Sequence, residues 1–160
     1  MMKEIIEINR WGFLILFGLS LIPISPFKEF FAGTFTIAFI LWLYSITILG
    51  QSTIKKKSLT TIDIKRFKIV TLALPLLLLA QIFFSFNEYT GSYFVIVLNI
   101  ILISLTIFAV LYVYYFAAKT VTTLEKEKDV SFNEMFPNLI LIGLSIIGVW
   151  FIQPKLKDLI

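Results

Sequence analysis

The chain has no cysteine and no histidine among its 160 residues. The first absence excludes disulfides, thiolate nucleophiles and the sulfur ligands of zinc sites. The second excludes imidazole as a base, a pH switch or a metal ligand, and with it any serine–histidine catalytic pair. Charge is scarce too: Asp, Glu, Lys and Arg make up 15% of the residues, against 59% hydrophobic. The charged residues gather between long apolar blocks, and none lies inside the second to the fifth of these. An ionisable group within a membrane segment is the usual mark of a proton-coupled carrier or an intramembrane carboxylate protease. Its absence argues against both, and the sequence carries no pattern for a cofactor or a metal.

What the chain does have is apolar length. A water-soluble domain of this size cannot hide so much apolar surface, because too large a share of its residues must face water. A bilayer removes the difficulty. Five apolar blocks can be drawn, at about Trp11–Ile24, Phe30–Gly50, Ile69–Phe86, Tyr93–Ala118 and Asn138–Ile152. Crossing about 30 Å of hydrocarbon takes about 20 residues, with roughly 17–25 tolerated. Blocks two, three and four meet this directly. Block one gains length from Ile5, Ile6 and Ile8, with the Arg10 head reaching the interface along its own stem. Its exit, "IPISPFK", lacks an A-x-A-like site, which disfavours a cleaved signal peptide.

Block five has its own start signal. In "VSFNEM", Ser131 and Glu134 stand at the positions of a capping box, with Val130 and Met135 at the staple positions. Pro137 predicts a kink between a short interfacial turn, Phe132–Phe136, and a membrane helix. Gly143 and Gly148 read as close-packing positions within that helix rather than as a break.

The expected fold is therefore all-α, an integral membrane bundle of five antiparallel transmembrane helices with short loops, residues 1–160 forming one domain. The alternative is four crossings followed by a re-entrant last segment. On five crossings, eleven Lys and Arg share the side of the N-terminus and three lie opposite, so the positive-inside rule puts the N-terminus in the cytoplasm. Lys155 and Lys157 pull the other way, because a re-entrant segment would move both to the cytoplasmic side.

"YYFAAKTVTTLEKEKDVSFNE" and, further on, "GVWFIQPKLKDL" resemble an uncharacterised family of small bacterial multi-pass membrane proteins. Its pattern has F-x-A-K at the end of one helix and G-[IV]-W-F-I-Q-P-[KR] near the C-terminus. The matching positions are Phe116, Ala118 and Lys119, then Gly148, Trp150, Phe151, Ile152, Gln153, Pro154 and Lys155. The likeness runs from "DIKRFKI" onward. It implies the bacterial inner membrane and some particular role for Lys119, Trp150, Gln153, Pro154 and Lys155, but no activity. One departure is Ile146, where the family pattern has proline; a helix broken in relatives is expected to be continuous here. Read from the residues alone, Gln153-Pro154-Lys155 stops the last helix at the interface.

Five uncharged polar residues enter the apolar blocks at similar depth: Ser20, Thr34, Thr36, Gln81 and Asn99. At 1.5 Å per residue each lies roughly 6–9 Å below the outer end of its helix, and Gln81 and Asn99 are expected within reach of each other across a hairpin. The layer reads either as interhelical hydrogen bonding or as a polar pocket or pathway opening outward. The basic loop, with Lys55, Lys56, Lys57, Lys65, Arg66 and Lys68, suits anionic lipid headgroups at about 1 kcal/mol per positive charge. A protein partner is the sharper alternative, and nucleic acid is disfavoured. Thr61 and Asp63 ahead of Ile64 look like a helix start. "EKEKD", residues 125–129, reads as a solvated helix end, and Tyr112, Tyr114, Tyr115 and Trp150 as interfacial anchors. The expected function is that of a non-enzymatic accessory, scaffold or immunity-type membrane component, partnered by another membrane protein or by a second copy of itself. A small transporter or channel lined by the polar layer is the alternative.

Overall fold

A computed structural model describes residues 10–21, 27–59, 63–86 and 93–159, and the described chain is all-helical. Its helices are α1 (Arg10–Ser20), α2 (Phe27–Lys56), α3 (Ile64–Phe86), α4 (Tyr93–Lys126), α5 (Phe132–Gly143) and α6 (Ile146–Leu159). Two of them, over Phe30–Lys56 and Tyr93–Lys126, are long and apolar enough to cross a membrane. The expected extension of block one through Ile5, Ile6 and Ile8, and its end at Ile24, lie outside the described residues; within them α1 stops at Ser20. Helix α3 begins at Ile64, directly after Asp63, as the start signal predicts.

Helices α2 and α4 outrun the apolar blocks that seed them. The first continues through Gln51 to Lys56 and the second through Lys119 to Lys126. The basic loop is consequently mostly helix: Lys55 and Lys56 form the last turn of α2, while Lys65, Arg66 and Lys68 lie in the first two turns of α3. Helix α2 ends because Ser58 adopts a left-handed conformation (φ 57°). The Leu59 N–H then donates to the Ile54 carbonyl and the Ser58 N–H to that of Lys55, each at 3.2 Å. This pattern satisfies carbonyls that a helix end would otherwise leave bare.

The chain divides into two compact units. One comprises residues up to Ile64 together with Tyr114–Ile160. In it α1 lies antiparallel on α2, with Phe17 against Phe35 (ring centroids 5.5 Å apart) and Phe13 against Trp42 (6.3 Å). The C-terminal part of α4 runs parallel to α2, since Phe39 meets Tyr114 and Gln51 meets Thr120. Gly50 makes that approach close: a Cβ there would stand 2.4 Å from Thr120 Cγ2. Helix α6 reaches α1 through an edge-to-face pair, Trp11–Trp150, with centroids 5.1 Å apart.

Block five is two helices, and the expectation of one continuous helix is overturned. The chain turns at Leu144–Ser145, with Ser145 at φ 49°. Gly148 explains how tightly it folds back, because a Cβ there would lie 2.2 Å from the Leu141 carbonyl oxygen, backbone against backbone. Ile146, where the family pattern has proline, opens α6 immediately after the break. Nor does Gln153-Pro154-Lys155 stop the last helix, which runs through Pro154 to Leu159. The start is as the sequence predicts: the Glu134 carboxylate accepts the Ser131 N–H at 2.9 Å, closing the capping box.

The other unit, Lys65–Val113, pairs α3 with the first part of α4. Among the described residues it buries a seam, Phe67, Thr71 and Leu74 on one helix and Asn99, Thr106, Ala109 and Val113 on the other. Outside that seam large apolar side chains lie open, with Leu72 68% and Phe108 72% exposed.

The Gly50 contact gives a direct test. Gly50→Ala should destabilise the protein by about 1–3 kcal/mol through overpacking. Adding Thr120→Ser, which removes Cγ2 and keeps the hydroxyl, should recover most of the loss in thermal unfolding. Equal stability of the single and double variants would mean that the two helices do not approach as described.

Candidate functional site

The last two turns of α4 are unusual for a segment that leaves an apolar block. Thr120, Val121, Thr122, Thr123 and Leu124 are all buried. Threonine hydroxyls survive burial by bonding to the carbonyl one turn back, and two of these do: Thr120 to Phe116 and Thr122 to Ala118, both at 2.8 Å. Each hydroxyl oxygen can still accept. Thr120 Oγ1 takes a hydrogen bond from Gln51 Nε2 at 3.0 Å, and Thr122 Oγ1 takes one from Asn138 Nδ2 at 3.0 Å.

Glu125 completes the arrangement. Its Oε2 accepts from Asn138 Nδ2 at 2.8 Å and its Oε1 from Lys155 Nζ at 2.9 Å. One carboxylate on α4 thus holds the middle of α5 and the later part of α6. The two helices therefore form a hairpin with its open end at Glu125. Its closed end is at Ser145, whose side chain meets the Tyr114 hydroxyl. "EKEKD" is accordingly more than a solvated helix end, since the Glu125 side chain is only 23% exposed.

An outer ring of charge secures the turn between α4 and α5. The Lys128 ammonium, the Ser131 N–H and Lys126 hold the Glu134 carboxyl well below the usual carboxylate range. Both lysines sit on Glu134 Oε1, at 2.9 and 3.0 Å. Lys57, at the end of α2, pairs with Glu127 and lowers its pKa in the same way.

The residues singled out by sequence fall in different places. Ser20, Thr34 and Thr36 bond back to Phe17, Phe30 and Ala32 of their own helices, at 2.6, 2.8 and 2.8 Å. They make no interhelical bond among the described residues. Gln81 does reach α4, but its hydrogen bonds go to Thr106 Oγ1 (2.7 Å) and the Leu102 carbonyl (3.1 Å), one to two turns beyond the buried Asn99. The expected layer is divided, with its serine and threonines in one unit and Gln81 and Asn99 in the other. The residues that carry the family resemblance fare differently. Phe116, Ala118, Gly148, Ile152 and Gln153 are buried in the first unit, Lys155 grips Glu125, and Lys119 is half-buried beside them in sequence.

Sequence reading missed Gln51, Thr120, Thr122, Glu125 and Asn138. The available signal was Asn138 at the mouth of an apolar block and three threonines within one turn of α4. As chemistry, the cluster is a clamp: both carboxylate oxygens are occupied, and no group of three or more metal-ligating side chains occurs among the described residues. Trp42 Nε1, Ser45 Oγ and Thr47 Oγ1 on α2 are buried without a hydrogen-bond partner among the described residues. No protein family, curated protein or solved structure matches the chain.

Asn138→Leu keeps the size of the side chain but strips hydrogen bonds from Thr122 and Glu125. It should cost about 1–3 kcal/mol, read as a lower unfolding midpoint. The outer ring adds a pH dependence. Both Glu127 and Glu134 have folded pKa values below the ordinary 4.5, so their contribution is whole above that pH and is lost as pH falls. The thermal midpoint should drop as pH falls below about 5, and the Glu127→Gln/Glu134→Gln double variant should show a flatter profile.

Proposed function

We propose that the chain is a multi-pass protein of the bacterial inner membrane that works without catalysis, as an accessory, scaffold or immunity-type component. In this reading the four apolar segments that contain α1 to α4 cross the bilayer, and the α5–α6 hairpin enters from the cytoplasmic side and returns to it. The observation that carries the membrane assignment is the surface of α4. Its most apolar window is only 17% buried, whereas a core helix of a water-soluble protein would be covered by its neighbours. Hydrocarbon is the solvent that tolerates such a helix. Helix α3 adds an apolar run, residues 69–86, without a charged residue.

The shared grip on Glu125 supports four crossings over five. It returns Lys155 to the level of the "EKEKD" stretch. The positive-inside count then becomes thirteen Lys and Arg on the cytoplasmic side against Lys28 alone outside, a stronger bias than five crossings allow. A non-catalytic role is supported by the clamp, in which Gln51 bonds to Thr120, and Asn138 to Thr122 and Glu125. A small transporter or channel is the second reading, favoured by the unpartnered buried hydroxyls of Ser45 and Thr47.

Because the chain has no native cysteine, topology can be read with single substitutions. Ser58→Cys and Asp158→Cys should both resist a membrane-impermeant thiol reagent in intact cells and both react after lysis. Labelling of Asp158→Cys alone in intact cells would restore the five-crossing bundle and reject the hairpin.

A further inference from the structure

Lysines and carboxylates around the polar core pair off: Lys155 with Glu125, Lys57 with Glu127, and Lys126 and Lys128 with Glu134. Lys119 is left over. It is half-buried on α4 and has no hydrogen-bond or ion-pair partner among the described residues. One turn before it on the same helix face is Tyr115, half-buried, and one turn after it is Thr123, 2% exposed. Neither hydroxyl has a partner among the described residues. Thr123 differs in this from Thr120 and Thr122, which bond back to their own helix.

Tyr115, Lys119 and Thr123 thus form a row of donors at spacings of four residues, phenol, ammonium and hydroxyl. Its depth is set by Thr120, which packs on Gly50 where the apolar run of α2 gives way to Gln51 and the lysines. The row therefore straddles the level at which apolar helix surface becomes charged. A ligand suited to it is anionic, rich in acceptor oxygens and resident at that level. We infer that Tyr115, Lys119 and Thr123 bind the phosphate of an anionic phospholipid in the cytoplasmic leaflet. Lys55 and Lys56, exposed at the end of α2, are left to diffuse attraction. The inference rests on the membrane assignment proposed above.

The test uses the full chain purified in mild detergent and titrated with phosphatidylglycerol or phosphatidylcholine, with bound lipids counted by native mass spectrometry. The wild type should take up phosphatidylglycerol ahead of phosphatidylcholine. Lys119→Gln should lower the first phosphatidylglycerol occupancy about fivefold, and Lys119→Arg should restore it. Tyr115→Phe and Thr123→Val, which remove one donor each, should weaken it by smaller factors, and Lys56→Gln, which removes only diffuse attraction, should weaken it least. Equal effects of Lys119→Gln and Lys56→Gln, or none from either, would overturn the site. So would displacement of the lipid by inorganic phosphate, which would make it a site for the free anion. An alkaline carbonate wash of cell membranes separates the two proposals. A chain released by the wash fails the membrane assignment itself, whereas a retained chain without lipid preference fails only this site.

Discussion

A single carboxylate organises the C-terminal third of this chain. Glu125 offers two oxygens, and two different helices each take one, α5 through Asn138 and α6 through Lys155. The ion pair alone is half-open to solvent, and exposed pairs of that kind contribute little. The amide is different, because Asn138 is buried and bridges Glu125 to Thr122, so losing it strands polar groups inside the fold. The clamp also determines direction. A segment whose start and end meet the same residue must turn round between them, and the chain does so at Leu144–Ser145.

Two glycines make the surrounding geometry feasible. Gly50 lets α2 lie against the last turns of α4, and Gly148 lets α6 fold onto the backbone of α5. The first contact meets a threonine methyl, which a smaller side chain can relieve. The second meets a carbonyl oxygen, which cannot move without moving the helix. Gly148 is therefore the stricter requirement, although both stand in apolar runs where neither looks exceptional.

The helical class and most helix positions were legible in the sequence, because long apolar runs without Gly or Pro clusters leave few alternatives. The capping box at Ser131 and Glu134 was legible for the same local reason: its partners are three residues apart. The break in block five was not. Residues 138–152 are apolar on both sides of the turn, and hydropathy cannot distinguish a helix that continues from one that doubles back on itself. What decides is the pairing of residues 125, 138 and 155, which lie far apart in sequence. The polar core was hidden for a related reason. Thr120, Thr122 and Glu125 follow an apolar block, where polar residues ordinarily mean solvent; α2 covers Thr120, and the hairpin that the sequence concealed covers Thr122 and Glu125. Conversely, Ser20, Thr34 and Thr36 looked like a layer by depth but spend their hydroxyls on their own helices.

The distribution of tryptophan has a practical bearing on how the molecule can be watched. Trp11, Trp42 and Trp150 all belong to the unit that holds the hairpin, and the Lys65–Val113 unit has none. Intrinsic indole fluorescence is therefore a local signal, silent on α3 and the first part of α4. The Trp11–Trp150 pair joins α1 to α6 edge to face, close enough for its transitions to couple. Its near-ultraviolet dichroism would vanish when α6 leaves α1, even with every helix still intact. The protein thus carries its own optical gauge of hairpin docking, separable from the far-ultraviolet signal of its helices.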